Sequence, residues 1–267
     1  MANGGPMERQ QVVAIDLTGR VAIVTGASRR QGIGAAICRA LASHGADILF
    51  THWRSYDRTD GSGVDEDGPP LLESELRALG VRAFGLEIDL ALSDAYLHVL
   101  DVAVERLGAP TILVNNAAHS TGDGYERLNA ATLDAHYAVN LRVMALLSSE
   151  FARRYPGGPG GRIVNLSSGQ GVGPMPTELA YAATKGAVEA FTKSLAAGVA
   201  AKGITVNAVD PGGTDTSWMT EDFKAAALTQ MAFGRLGQPE DAARLITFLA
   251  SDAAAWLTGQ TIHSRGA

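Results

Sequence analysis

Short runs rich in Val, Ile and Leu alternate along the chain with longer segments of helical period, and this alternation most limits the fold. The runs are Arg20–Thr25, Ile48–Thr51, Arg82–Ile88, Thr111–Val114, Arg162–Leu166, Ile204–Ala208 and Gln260–His263. The segments of helical period are Ile33–His44, Pro70–Leu79, Asp94–Leu107, Thr132–Arg154, Glu178–Ala201, Glu221–Met231 and Pro239–Ala250. Near-continuous apolar strands are buried on both faces, and a parallel neighbour is reached only through a crossover, which a helix supplies. The reading is α/β: a Rossmann-type doubly wound parallel sheet of about seven strands with helices on both faces. Gly45, Gly80, Gly108 and Gly203 stand where helices should stop. Two stretches break the rhythm, Tyr56 to Pro70 and Pro156 to Gly161, and both read as surface connections.

A chain of 267 residues is expected to form a single Rossmann-fold domain over 1–267, with 1–17 as an N-terminal extension. Cofactor and substrate must then share that domain. With 22 Lys plus Arg against 28 Asp plus Glu, the net charge of −6 has the wrong sign for tracking phosphates, so no nucleic-acid partner is expected. The single cysteine, Cys38, excludes an internal disulfide and reads as a small core residue on a helix. Met1 to Gln11 is polar, and nowhere do 18 apolar residues follow one another. No membrane association is expected, and the location reads as cytoplasmic.

Thr25-Gly-Ala-Ser-Arg-Arg-Gln-Gly-Ile-Gly ends the first strand and opens the first helix. Its glycines would let backbone N–H groups and the helix N-terminus approach a pyrophosphate, although a Gly-rich turn can also exist only to make the turn. The end of the second strand decides which dinucleotide binds, because a carboxylate there accepts bonds from a ribose 2′-OH and repels a 2′-phosphate. Here it reads Phe50-Thr51-His52-Trp53-Arg54, without an acid, and Arg29, Arg30 and Arg54 are near enough in sequence to pair a phosphate. NADP(H) is expected, NAD less so.

Tyr181 and Lys185 are four residues apart, hence on one helix face one turn apart. A phenol is a poor acid–base group at neutral pH, but an adjacent fixed positive charge favours the phenolate and brings its pKa toward the working range. Ser168 lies just past a strand, at the sheet edge where open α/β folds bind ligands, and its hydroxyl could hold an alcohol or carbonyl oxygen. Singly, each has an ordinary explanation as a helix aromatic, a solvated charge and a turn residue.

Together the motifs resemble those of the short-chain dehydrogenases/reductases of the compact single-domain type, in tone closest to the 3-oxoacyl-thioester reductase branch. The resemblance rests on the glycine turn, Asn115-Asn-Ala-Ala, Ser168 thirteen residues before Tyr181-Ala-Ala-Thr-Lys, and Pro211-Gly-Gly-Thr-Asp-Thr, over roughly residues 18 to 264. It implies a catalytic tetrad of Asn140, Ser168, Tyr181 and Lys185, with Asn140 anchoring a water that links Lys185 to solvent. It also implies cofactor contacts from Gly26, Ser28, Arg29, Arg30, Gly32, Ile33 and Gly34, from His52, Arg54, Asp89 and Leu90, and from Asn116 and Ala117 beside Asn115. Further cofactor contacts would come from Tyr181, Lys185, Pro211, Gly212, Thr214 and Thr216. The implied assembly is a homotetramer or homodimer built on the two long helices and the C-terminal strand.

Three features depart from the family pattern. Gly26 and Gly32 enclose five residues instead of three, so the Arg29–Gln31 region must bulge, Ala118 stands where glycine is common, and the stretch from Arg54 to Pro70 is long. Activity is read as interconversion of a ketone and a secondary alcohol. The alternatives are an enoyl reductase, whose Tyr and Lys lie further apart, and a dinucleotide-binding regulator that does no chemistry. The substrate, a small molecule, should meet His119, Gln170, Met175, Trp218 and Met219, with Ser120 and Phe223 nearby. That apolar wall, with Met175 and Trp218 as lids, points to a hydrophobic or ring-containing ketone. No metal site is expected.

Overall fold

The computed structural model describes residues 14–59, 64–216, 219–229 and 231–266. Seven strands form one sheet: β1 (Val21–Val24), β2 (Asp47–His52), β3 (Ala83–Glu87), β4 (Ile112–Asn115), β5 (Gly161–Leu166), β6 (Ile204–Asp210) and β7 (Thr261–His263). Their order is β3-β2-β1-β4-β5-β6-β7, and every pairing is parallel. The period-two alternation of a strand sends successive side chains to opposite faces. Val21 and Ile23 accordingly enter one apolar cluster, while Ala22 and Val24 enter the other.

The helices are α1 (Ile33–Ser43), α2 (Arg54–Thr59), α3 (Gly68–Ala78), α4 (Ala95–Arg106), α5 (Ala130–His136), α6 (Met144–Arg154), α7 (Leu179–Val199), α8 (Glu221–Leu228) and α9 (Pro239–Ala250). Apolar faces of α1, α3 and α9 fill one cluster, and those of α4, α6 and α7 the other. Burying one such Val, Leu or Ile contributes about 1.5–3 kcal/mol, so the two clusters clamp the sheet from both sides. The order in which strands are added reverses between β1, from which the sheet grows outward to β2 and β3, and β4, from which it grows the opposite way. A crevice opens there at the carboxyl ends of the strands, where this architecture takes ligands.

Two expectations are corrected. The stretch from Tyr56 to Pro70 is partly helical: α2 covers Arg54–Thr59, and α3 begins at Gly68 with Pro69 and Pro70 in its first turn. Proline read as a loop signal, yet it suits the first helical turn, where its missing N–H has no partner to lose. The expected single helix over Thr132–Arg154 is instead α5, then a π-helical segment Tyr137–Val143, then α6. A π segment adds a residue per turn without changing the apolar pattern enough to be read, and such segments gather at functional sites. This one carries Asn140.

Candidate active site

The turn between β1 and α1 is held by side chains from the loop after β4. Thr25 Oγ1 accepts from the N–H groups of Asn116 (3.0 Å) and Ala117 (3.1 Å), while Asn116 Nδ2 donates to the carbonyls of Thr25 (2.9 Å) and Gly26 (2.8 Å). Gly26 has φ +77°, and a Cβ there would stand 2.6 Å from Ala117 Cα. A Cβ on Gly34 would run into the Gly26 carbonyl, so helix and turn meet backbone to backbone. The extra residues between Gly26 and Gly32 fold into a turn closed by Gly32 N–H donating to the Arg29 carbonyl at 3.0 Å. The N-terminus of α1 has no side-chain cap and no acid in its first turn, leaving its positive end open to an anion.

A continuous cleft of about 1380 Å³ runs from this turn across the strand ends. That exceeds the ~300–1,000 Å³ of a drug-sized ligand site and suits a dinucleotide with a second small molecule. Among the expected cofactor residues, Gly26, Ser28, Arg29, Gly32, Ile33, Gly34, His52, Asp89, Leu90, Asn116 and Ala117 line it, as do Pro211, Gly212, Thr214 and Thr216. Arg30 and Arg54 do not: Arg30 is paired with Glu75, and Arg54 with Glu87, its Nε 3.1 Å from Oε1. Nearby carboxylates have claimed both cations. Arg29 alone of the three faces the cleft, 3.9 Å from Asp57, a buried acid on α2 that also lines it. His52 closes β2 with a buried Nδ1 that has no hydrogen-bond partner among the described residues. Its burial holds the imidazole below its ordinary pKa.

At the other end, Tyr181 sits in the first turn of α7 and Lys185 one turn on, with Ser168 just past β5. All three line the cleft, and the Ser168 side chain favours the ionised form of the Tyr181 phenol. Lys185 Nζ is buried, donates to the Leu166 carbonyl at 2.7 Å and lies 5.4 Å from the centre of the Tyr181 ring. Burial dominates both groups. It pushes the phenol up to about 12, against the lowering influence of Ser168, and brings the ammonium down to about 8. Desolvation therefore governs the phenol in place of the lowering expected from the lysine charge, and at neutral pH the phenol holds its proton.

Asn140 lies behind the cleft wall. Its Oδ1 accepts from His119 N–H (2.7 Å), and its Nδ2 donates to the His119 carbonyl (2.9 Å) and to Thr184 Oγ1 (3.1 Å). The side chain thus ties the loop after β4 to the helix of Tyr181 and Lys185. His119, Met175 and Met219 line the cleft. Gln170 turns aside to donate to Ser167 Oγ (3.2 Å) and Glu189 Oε1 (2.7 Å), because that carboxylate offers a charge-assisted acceptor. Trp218 lies outside the described residues, as does the side chain of Phe223.

Sequence reading missed several lining residues. Trp53, Ser55, Tyr56, Asp57 and Thr59 follow β2, and only the aromatic pair there could have hinted at a built wall. Arg265 reaches the cleft from beyond β7, its Nε donating to the buried Asp210 at 2.7 Å. No motif marks it. Among the described residues no cluster of three His, Cys, Asp or Glu could hold a metal, and no helix is long and apolar enough to cross a membrane.

Comparison with known proteins agrees with this geometry. The model of a family described as enoyl-(acyl carrier protein) reductase matches residues 26–266. An uncharacterized oxidoreductase, YjdA, of Bacillus subtilis is 50% identical over 249 residues, 92% of this chain and 96% of that protein. The 3-oxoacyl-[acyl-carrier-protein] reductase FabG of Pseudomonas aeruginosa is 36% identical over 255 residues, 94% of this chain and 98% of that one. Among solved structures, a blue fluorescent protein from a metagenomic library in complex with NADPH superposes with a TM-score of 0.84 at 31% identity, covering 94% and 98% of the two chains. A matched family model over nearly the whole chain, close relatives and a shared parallel sheet make this chain an oxidoreductase of the short-chain dehydrogenase/reductase family.

Proposed function

We propose that the chain is an NADPH-dependent reductase that interconverts a ketone and a secondary alcohol, with Ser168, Tyr181 and Lys185 as its acid–base set. The observation that carries this reading is the grouping of those three side chains at one end of a cleft whose other end is the open N-terminus of α1. NADPH bound in that cleft would supply the hydride. Negative charge then develops on the carbonyl oxygen, and groups fixed beforehand are worth most there. The Ser168 hydroxyl donates a hydrogen bond to that oxygen, and Tyr181, protonated at neutral pH, delivers the proton. The Lys185 ammonium stabilises the phenolate left behind, while Asn140 keeps the His119 wall in register with α7.

The spacing of four between Tyr181 and Lys185 favours keto over enoyl reduction. The likeness to FabG makes a 3-oxoacyl thioester the first substrate to try, and the mixed lining of His119, Met175 and Met219 admits cyclic ketones as well. The test is the loss of NADPH absorbance with a panel of ketones, 3-oxoacyl thioesters and enoyl thioesters. Turnover of the enoyl compounds alone, or NADPH binding with no turnover, overturns the reading.

Preference for NADP(H) is supported by a neutral His52 where an acid would select NAD, and by Arg29 at the same end of the cleft. Arg29 already neighbours Asp57, so a 2′-phosphate must compete with that carboxylate for the guanidinium. We predict that His52→Asp weakens NADPH binding about tenfold or more through charge repulsion and improves NADH. Wild-type protein binding NADH at least as tightly as NADPH contradicts this.

The same reading extends to a homotetramer acting in the cytoplasm. Leu133 and Tyr137 leave apolar surface outward on α5 and the π segment, and Trp256, 97% exposed, does so just ahead of β7. Sedimentation at micromolar protein should show four subunits, and a monomer would rule the assembly out.

A further inference from the structure

The first turn of α7 has an unusual cap. Glu178 occupies the N-cap position with φ −140° and ψ 50°, and its side chain caps nothing. The N–H groups of Leu179 and Ala180 are instead taken by a residue more than fifty positions earlier. Asp123, on the loop after β4, accepts them through Oδ1 at 2.6 Å and Oδ2 at 2.9 Å, and its own N–H donates to the Thr177 carbonyl at 2.8 Å. The carboxylate is only 5% exposed. Burial by itself would raise its pKa, but the backbone N–H groups of Ala180, Gly124 and Leu179 outweigh that and hold it below the ordinary carboxylate range. It therefore stays charged at any ordinary assay pH.

The loop that carries Asp123 is itself pinned at successive residues. Ala117 N–H donates to Thr25 Oγ1 (3.1 Å), His119 N–H to Asn140 Oδ1 (2.7 Å), Ser120 N–H to the Tyr56 hydroxyl (3.1 Å) and Thr121 N–H to His136 Nε2 (3.3 Å). Tyr181 stands directly after the two capped residues. First turns are where helices fray, so the place of this phenol depends on a cap that arrives from the loop after β4.

We propose that Asp123 is a positioning residue, whose carboxylate locks the first turn of α7 to the loop after β4 and so sets where the Tyr181 hydroxyl stands in the cleft. This rests on the proton-donor role given to Tyr181 above. Removing the cap displaces the phenol without touching the glycine turn, so the chemical step suffers and the dinucleotide end does not.

The experiment compares wild type, Asp123→Ala and Asp123→Asn. A misplacement of about 1 Å is worth roughly 10²-fold in rate, so kcat for a ketone should fall by about that factor in Asp123→Ala, with NADPH Kd changed less than about threefold. Asp123→Asn keeps one carbonyl acceptor and should fall between the two. Independently of turnover, amides of residues 179–182 should exchange with deuterium about tenfold faster in Asp123→Ala, as loss of a cap implies. Unchanged exchange, a kcat near wild type, or an NADPH affinity that falls in step with kcat overturns the proposal. Should Asp123→Ala not fold, the same three readouts on Asp123→Asn decide. If wild type reduces no ketone at all, the functional reading fails, and the exchange measurement still decides whether Asp123 holds the turn.

Discussion

Tyr181→Phe is expected to lower kcat for ketone reduction by about 10²–10⁴-fold, the usual worth of a positioned proton donor, while NADPH binds nearly as tightly as to wild type. The variant removes one hydroxyl and leaves the ring to fill its place against His136, 6.4 Å away centre to centre, so the fold should tolerate it. What is lost is specific. The hydroxyl beside Ser168 disappears, and among the described residues the other phenol lining the cleft, Tyr56, is engaged with both the N–H and the carbonyl of Ser120. Stopped-flow measurement of a single turnover separates the chemical step from binding. A folded Tyr181→Phe protein that binds NADPH and still turns over within a few-fold of wild type would show that the proton comes from elsewhere.

Lys185→Ala should damage both catalysis and cofactor binding, with kcat falling by about 10²–10³-fold, as for loss of one fixed charge-stabilising donor. Its pH signature is the sharper test. Burial brings the ammonium down to about 8, so the charge that stabilises the phenolate is present below that pH and disappears above it. Reduction by wild type should slow as pH rises through about 8, and Lys185→Ala should lose that limb. The stability signature has the same origin. Because the folded pKa lies below the ordinary 10.5, the unfolded chain holds more protons between about 8 and 10.5, and wild-type stability gains with rising pH across that window. Between pH 7 and pH 10 the melting temperature of wild type should therefore rise relative to that of Lys185→Ala. A gap that does not change with pH would mean that burial does not lower the pKa of this amine.

How much of this was legible in the sequence follows from what kind of interaction is involved. Tyr181 and Lys185 share a helix face because helical pitch is a local property, and Ser168 reaches the sheet edge because a strand ends there. The glycine turn was likewise readable, since Gly26 and Gly34 answer to a local φ and to one close approach between consecutive elements. The three candidate arginines were not separable, because each one's partner comes from a distant segment: Glu75 on α3 for Arg30, Glu87 on β3 for Arg54 and Asp57 on α2 for Arg29. Charge alone cannot say which cation is left facing a cleft.

The alternation of apolar runs with helical segments by itself determined the parallel sheet, its helical cover and the end of the strands at which a site must open. Those outcomes depend on backbone periodicity and on burial, which neighbouring residues encode. Only the tertiary structure decided that Asn140 braces the His119 loop from a π segment, that Gln170 turns away to Glu189, that Arg265 enters from beyond β7, and that Asp123 caps the helix of Tyr181. Each is a polar contact between residues far apart in the chain, whose partners are chosen by the packing of the two apolar clusters and leave no periodic trace in the sequence.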